Sequence, residues 1–306
     1  MQVHAFEDLD LGSVDVVCET LEAASEASRD AACRRGSVDW VGAPGSLVAT
    51  GDIHDNPLHL CRVIEAAGLG GDPSTTPESG RSHLTLHELI HGEHLMGGVD
   101  FSFRALTRVA ALKAAYPEHV HVLLANHELA QVVGSGIVKD GIRVVDAFND
   151  GVERVFGDDA GRVHEAIASF VRAMPLALRC ETPRGVIQCS HSVPSPAMMG
   201  RFDAGVLDRE LTEDDYRPLT GSAHMMVWGR HYDSESLEDL VERWGVTMFV
   251  LGHEKVPEGA RFVSPCAVVL NSDHANGVYL PMDLTEPPEP DEAPRRARRL
   301  AEPAYE

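Results

Sequence analysis

Side chains that can bind metal ions recur where predicted strands end. Five strands are predicted, and they lead into Asp52 and His54, Glu88, Asn126 and His127, His191, and His253. The carboxyl ends of parallel strands meet at one edge of an open α/β sheet, because only there can loops from several strands converge. Each residue alone has an ordinary explanation, such as a surface loop, a helix cap or a core histidine. Five coincidences at equivalent positions favour one shared site.

The ligand types fit a particular kind of site. Carboxylate oxygens, an amide oxygen and imidazole nitrogens suit Mn²⁺, Fe or Zn²⁺ better than Ca²⁺, and the absence of thiolates argues against structural zinc. Two ions roughly 3.5 to 4 Å apart need a bridging carboxylate, and such a pair can clamp a phosphoryl oxygen and lower the pKa of a bridging water. Glu88 is the candidate bridge. We therefore expect two divalent ions, with Mn²⁺ as the first choice and Fe or Zn²⁺ as alternatives.

The elements that must position these residues alternate as in an α/β protein. The predicted strands are short apolar segments at 46–50, 83–87, 120–124, 185–191 and 247–251. Amphipathic helices are predicted near 57–67, 100–116 and 162–174 and, before the first of these strands, near 12–35. We find no internal repeat and no interdomain linker. The sequence predicts one α/β domain over 46–285, preceded by a helical cover segment over 1–45.

The composition limits the partners and the compartment. The chain has 306 residues, and its 48 acidic and 26 basic side chains give a net charge of −22. Such a surface repels phosphate backbones and anionic lipids, so neither nucleic acid nor a membrane is expected as a partner. No apolar run is long enough for a membrane span, and the amino terminus lacks the pattern of a secretory signal. A cytoplasmic location is therefore predicted.

Two further features concern the cysteines and the end of the chain. Six cysteines contain no Cys-x-x-Cys pair, so they are predicted to be thiols, mostly buried, rather than zinc ligands or disulfides. Residues 286–306 are rich in proline and arginine and have almost no core-forming side chains. This tail is predicted to be disordered.

Four motifs carry a resemblance to a known family. They are GDIHDN at 51–56, ANHE at 125–128, CSHS at 189–192 and LGHE at 251–254. In this order they resemble the calcineurin-like metallophosphoesterases, and more closely their PPP-type serine/threonine protein phosphatase branch. The resemblance covers roughly residues 46 to 284. It implies a four-layer α/β/β/α sandwich with two metal ions at the carboxyl ends of the strands.

The resemblance also implies a role for each motif residue. The implied metal ligands are Asp52 and His54 on the first ion, Glu88 as the bridge, and Asn126, His191 and His253 on the second ion. His127 matches the histidine that protonates the leaving group. The implied reaction is direct attack of a metal-bridging hydroxide on phosphorus, without a phosphoenzyme.

The segment HELIHGE departs from the family's GDxxDRG motif. His91 stands where an aspartate normally orients the catalytic histidine, and Gly92 stands where an arginine normally grips phosphate. Other candidates for the orienting partner are Glu93, His94 and Asp100. Candidates for the phosphate-binding group are Arg81, Arg104 and Arg230. The departures affect expectations about rate and substrate, whereas the ligand set is complete.

Three hypotheses about function follow. The leading one is a phosphoesterase that hydrolyses phosphomonoesters, either phosphoserine and phosphothreonine in proteins or a small phosphorylated metabolite. The second keeps the metal chemistry but moves the substrate to dinucleoside polyphosphates or phosphodiesters. The third is a phosphatase-like scaffold in which HELIHGE has abolished turnover. The enzyme hypotheses are favoured, because every expected ligand position holds a competent ligand.

Overall fold

The computed structural model describes residues 9–74, 77–92 and 95–301. Its helices are α1 (Val14–Asp30), α2 (Pro57–Ala66), α3 (Phe103–Ala115), α4 (Asn126–Val133), α5 (Val144–Phe156), α6 (Ala160–Ala173), α7 (Ser222–Val227), α8 (Ser234–Trp244) and α9 (Ala293–Arg296). Its strands are β1 (Arg34–Arg35), β2 (Val38–Gly42), β3 (Ser46–Thr50), β4 (His83–Leu86), β5 (Val120–Val122), β6 (Val138–Lys139), β7 (Ile142–Arg143), β8 (Ala177–Thr182), β9 (Gly185–Ser190), β10 (Val246–Leu251), β11 (Ala260–Val263), β12 (Ala267–Leu270), β13 (Val278–Asp283) and β14 (Arg298–Arg299).

Two mixed sheets position the site. The larger has the order β1-β2-β8-β9-β10-β12-β11, and the smaller has the order β14-β13-β3-β4-β5. Strands β3, β4 and β5 are parallel to one another, and so are β9, β10 and β12. Just beyond β3, Asp52 forms β-bridges with His87 after β4 and with Asn271 after β12. The carboxyl ends of both sheets therefore meet at Asp52.

An apolar layer separates the two sheets. It is built from alternating side chains of both, among them Leu47 and Leu280 of the smaller sheet and Leu178, Val250 and Val268 of the larger. Burying each such side chain contributes roughly 1.5 to 3 kcal/mol to stability. A second apolar cluster joins the outer helices to the sheets, and α1 packs on α3 and α6. The predicted four-layer sandwich in a single domain is confirmed.

The amino-terminal segment does more than cover the core. Its helix α1 is present as predicted, but β2 then pairs in parallel with β8, where Val38 lies opposite Ala177. The large sheet therefore begins before residue 46, the predicted start of the domain. The five residues of β2 include Asp39 and end in Gly42, two residue types that are depleted in strands, so its pairing with residues far along the chain fixes it.

The predicted disorder of the tail is wrong for residues 286–301. Strand β14 pairs with β13, with Val278 opposite Arg299, and α9 precedes it. Two apolar side chains, Ala293 and Leu300, are fully buried. The overall composition of the tail conceals them, and edge pairing with β13 satisfies backbone groups whatever the side chains are. Residues 302–306 lie outside the described part of the chain.

The cysteines and the helices bear on two further predictions. The six cysteines form no disulfide, and Cys18, Cys180, Cys189 and Cys266 are buried. Among the described helices, none combines the length and the apolar character that a membrane crossing requires.

Candidate metal centre

The loops after five strands bring the predicted ligands together. Side chains from the ends of both sheets meet within one buried cluster: Asp52, His54, Glu88, Asn126, His191 and His253. None of the six is more than 8% exposed. The structure thus brings these six residues together, as the sequence analysis expected. Their roles as metal ligands stay a prediction.

One half of the cluster is centred on the His191 ring. Its Nε2 atom lies 2.7 Å from Asn126 Oδ1, 3.0 Å from His253 Nδ1 and 2.9 Å from Glu88 Oε2. A ring nitrogen carries at most one proton, so it cannot donate to all three atoms. At least two of these three contacts therefore bring lone pairs together with no hydrogen atom between them. The four atoms face a common point.

The other half of the cluster lies across the Glu88 carboxylate. Glu88 Oε1 is 2.8 Å from His54 Nε2 and 3.6 Å from His127 Nε2. Asp52 lies beside His87 and His191, with its Oδ1 3.4 and 3.5 Å from their Nδ1 atoms. Its two carboxylate oxygens accept hydrogen bonds of 2.9 and 3.1 Å from the backbone N–H of His253. The two oxygens of Glu88 therefore face different histidines, as a carboxylate between two ions would.

These residues fit a pair of divalent ions. Glu88 Oε2 is buried and accepts no hydrogen bond from the residues described, although His191 Nε2 is close to it. An unpaired buried carboxylate oxygen is costly unless a cation or a proton donor compensates for it. Three overlapping groups of ligand-capable atoms surround it: Asp52 with His87 and His191, His54 with Glu88 and His127, and Glu88 with His191 and His253.

Electrostatics within the cluster reflect its excess of negative charge. Burial by itself would lower the pKa of His54, but the carboxylate of Glu88 outweighs this and raises the pKa to about 9. For His253, burial and the neighbouring His191 prevail and lower the pKa to about 3. Glu88 thus stabilises positive charge beside it, which either a proton or a metal ion could supply, while His253 is a neutral imidazole that can act as a ligand.

Several site residues have strained backbone conformations. The φ angles of His54, Glu88, His91 and His253 are 45°, 50°, 57° and 67°, in the left-handed region. Such conformations cost a non-glycine residue on the order of 1 to 3 kcal/mol and cluster at functional sites. Backbone hydrogen bonds offset part of this cost. The carbonyl of Glu88 accepts them from the N–H groups of residues 53 and 54, at 3.2 and 2.7 Å.

Glu128, which ends the ANHE motif, fastens the loop that carries Glu88. Its Oε1 atom accepts hydrogen bonds of 2.7 Å from the N–H of Leu89 and 3.2 Å from that of Ile90. Burial and the nearby charge of Glu88 raise the pKa of Glu128 to about 7. The last residue of this motif therefore holds the HELIHGE segment in place.

His127 is held from behind by a second imidazole. His127 Nδ1 lies 3.0 Å from His91 Nδ1, and His91 Nε2 lies 3.0 Å from Gln131 Oε1. The amide of Gln131 donates in turn to Asn149 Oδ1 at 2.7 Å. Burial, which outweighs attraction by Glu88, lowers the pKa of His127 to about 4. Burial and the neighbouring His127 lower the pKa of His91 to about 3, so a neutral histidine occupies the place that an orienting aspartate has in the family.

Among the other orienting candidates, Asp100 contacts the loop of His91 rather than His127. Asp100 accepts a hydrogen bond of 2.8 Å from the N–H of Ser102, whose hydroxyl accepts one of 3.0 Å from the N–H of His91. Asp100 therefore supports the loop of His91 rather than the imidazole of His127. Glu93 and His94 lie outside the described residues.

A cavity of about 470 Å³ opens onto the cluster. Its wall includes Asp52, Glu88 and His127 together with three cationic side chains, Lys139, Arg230 and Lys255. A groove of about 670 Å³ adjoins it and shares His54, Lys255, Asn271 and Asp273 with it. The cavity has room for a phosphoryl group, and the groove has room for what is attached to it.

The arginine candidates differ in their positions. Arg230 lines the cavity and donates to the carbonyl of His253 at 3.4 Å. Arg104 does not line it, since its guanidinium lies over the rings of Phe101 and Phe103, at 5.0 and 5.7 Å. Arg81 lies over Tyr116, in a separate cleft. The expectation that Arg104 contacts substrate is therefore not met by its position.

The missing family arginine has a steric explanation. A Cβ atom on Gly92 would lie 2.6 Å from the carbonyl oxygen of His54, which is too close for any side chain. Lys139 and Lys255 line the cavity instead, and the sequence analysis missed both. Lys255 directly follows LGHE and could have been found by that adjacency. Lys139 is on the β6–β7 hairpin, far from any motif, and left no signal.

His87 is a further residue that the sequence analysis missed. It stands where the family motif begins with glycine, and it is only 2% exposed. Its ring lies between the carbonyl of Thr50 and the ring of His191, 2.9 Å from the first and 3.1 Å from the second. The unusual first letter of HELIHGE was the available signal.

Comparison with known proteins bears on the fold. No protein-family model matches the sequence. Among solved structures, a serine/threonine phosphatase from Saccharomyces cerevisiae with similarity to human phosphatase PP5 matches with a TM-score of 0.64 and 12% identity, over 89% of this chain and 83% of that one. A cold-active protein tyrosine phosphatase from a psychrophilic Shewanella species matches with a TM-score of 0.55 and 14% identity, over 80% and 77% of the two chains. The resemblance to PPP-type metallophosphoesterases is thereby confirmed at the level of the fold, which this chain shares.

Proposed function

We propose that the chain is a metal-dependent phosphoesterase that hydrolyses phosphomonoesters, either phosphoserine and phosphothreonine in proteins or a small phosphorylated metabolite. The observation that carries the proposal is the convergence of five ligand-capable side chains around the Glu88 carboxylate, next to a cavity with three cationic groups. The fold it shares with solved phosphatases supports the same conclusion.

The ligands divide into two groups around Glu88. Asp52 and His54 would hold one ion, and Asn126, His191 and His253 the other, with Glu88 between them. Bound divalent ions would neutralise charge on the phosphoryl oxygens and lower the pKa of a water molecule. Mn²⁺ is our first choice, since the donors are oxygen and nitrogen atoms.

Cationic side chains would hold the phosphate. In a chain of net charge −22, Lys139, Arg230 and Lys255 place three positive charges on the cavity wall, beside the four carboxylates of Asp52, Glu88, Glu254 and Asp273. The charge of Lys139 reaches the centre. It opposes the rise in the pKa of His54 and adds to the fall in the pKa of His127. These three residues would together replace the arginine for which Gly92 leaves no space.

His127 would deliver a proton to the leaving oxygen. Its Nε2 atom is on the Glu88 side of the ring, while Nδ1 is held by His91. This arrangement directs one nitrogen at the cavity and fixes the ring. Because the pKa of His127 is lowered to about 4 in the free protein, the ring would have to gain a proton on Nε2, which the negative charge of a bound phosphate favours, before it could act as the general acid.

A substrate panel with metal analysis tests the proposal. Protein purified without chelator is expected to hold two divalent ions, and with Mn²⁺ to hydrolyse p-nitrophenyl phosphate and phosphoserine peptides faster than bis-p-nitrophenyl phosphate or diadenosine tetraphosphate. Turnover of the last two alone would point to the diester or polyphosphate hypothesis. Two bound ions without any hydrolysis would point to a scaffold.

A variant of Glu88 tests the bridge itself. Glu88→Ala is expected to lower the metal content from two ions towards one, because both groups of ligands lose a shared oxygen. Glu22→Ala, on the exposed side of α1, is the matched control and should keep both ions. Retention of two ions by Glu88→Ala would mean that another group, or none, bridges them.

A further inference from the structure

His87 lies behind the metal ligand His191, away from the cavity. It follows β4 directly, at the point where its backbone bridges to Asp52. The two rings meet edge to face, with centroids 5.2 Å apart and planes at 72°. His87 itself is absent from the cavity wall. Its position suits a residue that acts through another residue rather than on substrate.

The hydrogen atoms of this pair follow from the acceptors around it. His87 Nε2 lies 2.9 Å from the carbonyl oxygen of Thr50, which can only accept, so this nitrogen carries the proton. In the neutral ring the Nδ1 atom then has a lone pair. His191 Nδ1, 3.1 Å away, donates its N–H to that lone pair, which leaves the Nε2 atom of His191 without a proton.

We propose that His87 is a positioning residue that fixes His191 in the Nδ1–H tautomer, so that its Nε2 lone pair faces Glu88, Asn126 and His253. The proposal rests on the proposed metal centre for its purpose, but the tautomer itself is a property of the chain without metal. Metal-binding histidines commonly owe their tautomer and orientation to the partner of the other ring nitrogen.

The competing acceptor is Asp52, and distances favour His87. Asp52 Oδ1 lies 3.5 Å from His191 Nδ1, against 3.1 Å for His87 Nδ1. Asp52 Oδ1 also lies 3.4 Å from His87 Nδ1, and one shared N–H, that of His253, leaves the Asp52 carboxylate able to accept further hydrogen bonds. In the alternative arrangement a second proton sits on His87 Nδ1 and goes to Asp52 or to His191, and in the latter case His191 carries its proton on Nε2, at the point where the ligand atoms meet.

Close packing keeps the His87 ring in place. A Cβ atom on Gly252 would lie only 2.3 Å from His87 Cε1 and 2.6 Å from Asp52 Oδ1. The glycine of LGHE thus leaves the space in which His87 and Asp52 approach each other. A ring confined in this way loses little further conformational entropy when His191 binds a metal ion.

The first test reads the tautomers directly. Nitrogen-15 chemical shifts of the histidine rings in metal-stripped wild-type protein should show His191 protonated on Nδ1 and His87 protonated on Nε2. Assignment uses the loss of signals in His87→Gln and His191→Gln. A His191 ring protonated on Nε2 in the wild-type protein would overturn the proposal, whether or not the protein turns out to be a phosphoesterase.

The second test measures metal affinity with Mn²⁺ by competition with a chelator. His87→Ala should weaken binding of the more weakly held ion by about 10- to 100-fold, the usual effect of removing an outer partner of a ligand. His87→Gln should recover most of this, because its amide can donate to Thr50 and accept from His191. His164→Ala removes a half-buried histidine on α6, away from the cluster, and should retain wild-type affinity.

The outcomes separate this inference from the proposed function. Wild-type affinity for both ions in a folded His87→Ala protein would overturn the role of His87 and leave the phosphoesterase proposal intact. If wild-type protein binds no divalent ion, the proposed function fails, and the nitrogen-15 shifts still decide whether His87 sets the tautomer. If His87→Ala does not fold, the glutamine variant and the wild-type shifts provide the decision.

Discussion

Two buried clusters in this molecule use the same types of side chain and differ in how their charges are paired. One is the candidate metal centre around Glu88. The other, here called the Asp39 cluster, consists of Arg34, Asp39, His83 and His121. Asp39 Oδ1 accepts from Arg34 Nε at 2.6 Å, and its Oδ2 accepts from His121 Nδ1 at 2.8 Å. His121 Nε2 in turn lies 3.2 Å from His83 Nδ1.

The difference lies in the balance of protons and lone pairs. Burial would raise the pKa of Asp39, but the hydrogen bond from His121 and the charge of Arg34 outweigh it and lower the pKa. Both oxygens of Asp39 therefore have a donor, although Cys33, Asp39 and His121 are close enough to hold an ion. The buried atom of this cluster without a partner in the described parts of the chain, Arg34 Nη2, is a donor and adds no lone pair. At the metal centre Glu88 Oε2 has no such partner within the described chain. Buried carboxylates and histidines indicate a metal site only when lone pairs outnumber the donors that satisfy them.

The largest expected effect is on turnover at the metal centre. His127→Ala should slow hydrolysis of a phosphomonoester by a factor on the order of 10² to 10⁴, because the leaving oxygen loses its proton donor. Metal content and thermal unfolding should stay close to wild type. Steady-state kinetics and elemental analysis provide the measurement. Equal rates for variant and wild type would remove His127 from the mechanism.

The next largest effect is on stability at the Asp39 cluster. Asp39→Ala leaves Arg34 and His121 without their buried partner and should lower the free energy of unfolding by about 3 to 5 kcal/mol. Urea unfolding measures this, with the exposed Asp158→Ala as control, and turnover per folded molecule should not change. The folded-state pKa of Asp39 is depressed, so its contribution is present above pH 4 or so, and the difference from wild type should shrink at lower pH. A loss of turnover larger than the loss of folded protein would contradict the separation of the two clusters.

A smaller effect should follow the addition of metal. Mn²⁺ at about 100 times its dissociation constant should stabilise the folded protein by about 2.7 kcal/mol, because only the folded state holds the site. Asp39→Ala should gain the same increment from a lower starting point, and Glu88→Gln should lose most of it. Thermal unfolding with Mn²⁺ or with a chelator measures the increment. Its disappearance in Asp39→Ala would place an ion at the Asp39 cluster.

The smallest expected effect comes from Gln131, which is separated from the proposed chemistry by His91 and His127. Gln131→Leu removes the acceptor that faces His91 Nε2, so the ring behind His127 loses its fixed orientation. Turnover should fall about tenfold with metal content unchanged, and Gln131→Glu, which keeps an acceptor oxygen, should recover most of it. An unchanged rate in Gln131→Leu would show that His91 needs no such support.

Much of the site could be predicted because it follows strand ends. The apolar stretch 46–50 forms β3, and the polar residues after it lie at the sheet edge, as do those after β4, β5, β9 and β10. Parallel pairing within each sheet makes this convergence a matter of topology, so a spacing of many residues between motifs is no obstacle. The four-layer fold was predicted from the same motifs.

Other features could not be predicted, since they depend on contacts between distant residues. Lys139 reaches the cavity from a hairpin of four paired residues, and Arg104, which has the same charge, packs on phenylalanine rings instead. The tail has two buried apolar residues among many exposed ones, so its composition suggested disorder. Composition averages over a segment, whereas a few well-placed contacts decide its structure.

The sequence by itself determined which atoms are available for metal chemistry and along which strands they come, because residue type and apolar patterning are local properties. Only the tertiary structure decided which of these atoms face one another and which are already satisfied. The pairing of Asp39 with Arg34, the unpaired oxygen of Glu88 and the contact between His87 and His191 depend on distances of about 3 Å between segments far apart in the chain. Hydrogen bonds and ligand fields act only at that range, so their balance exists only after the two sheets have packed.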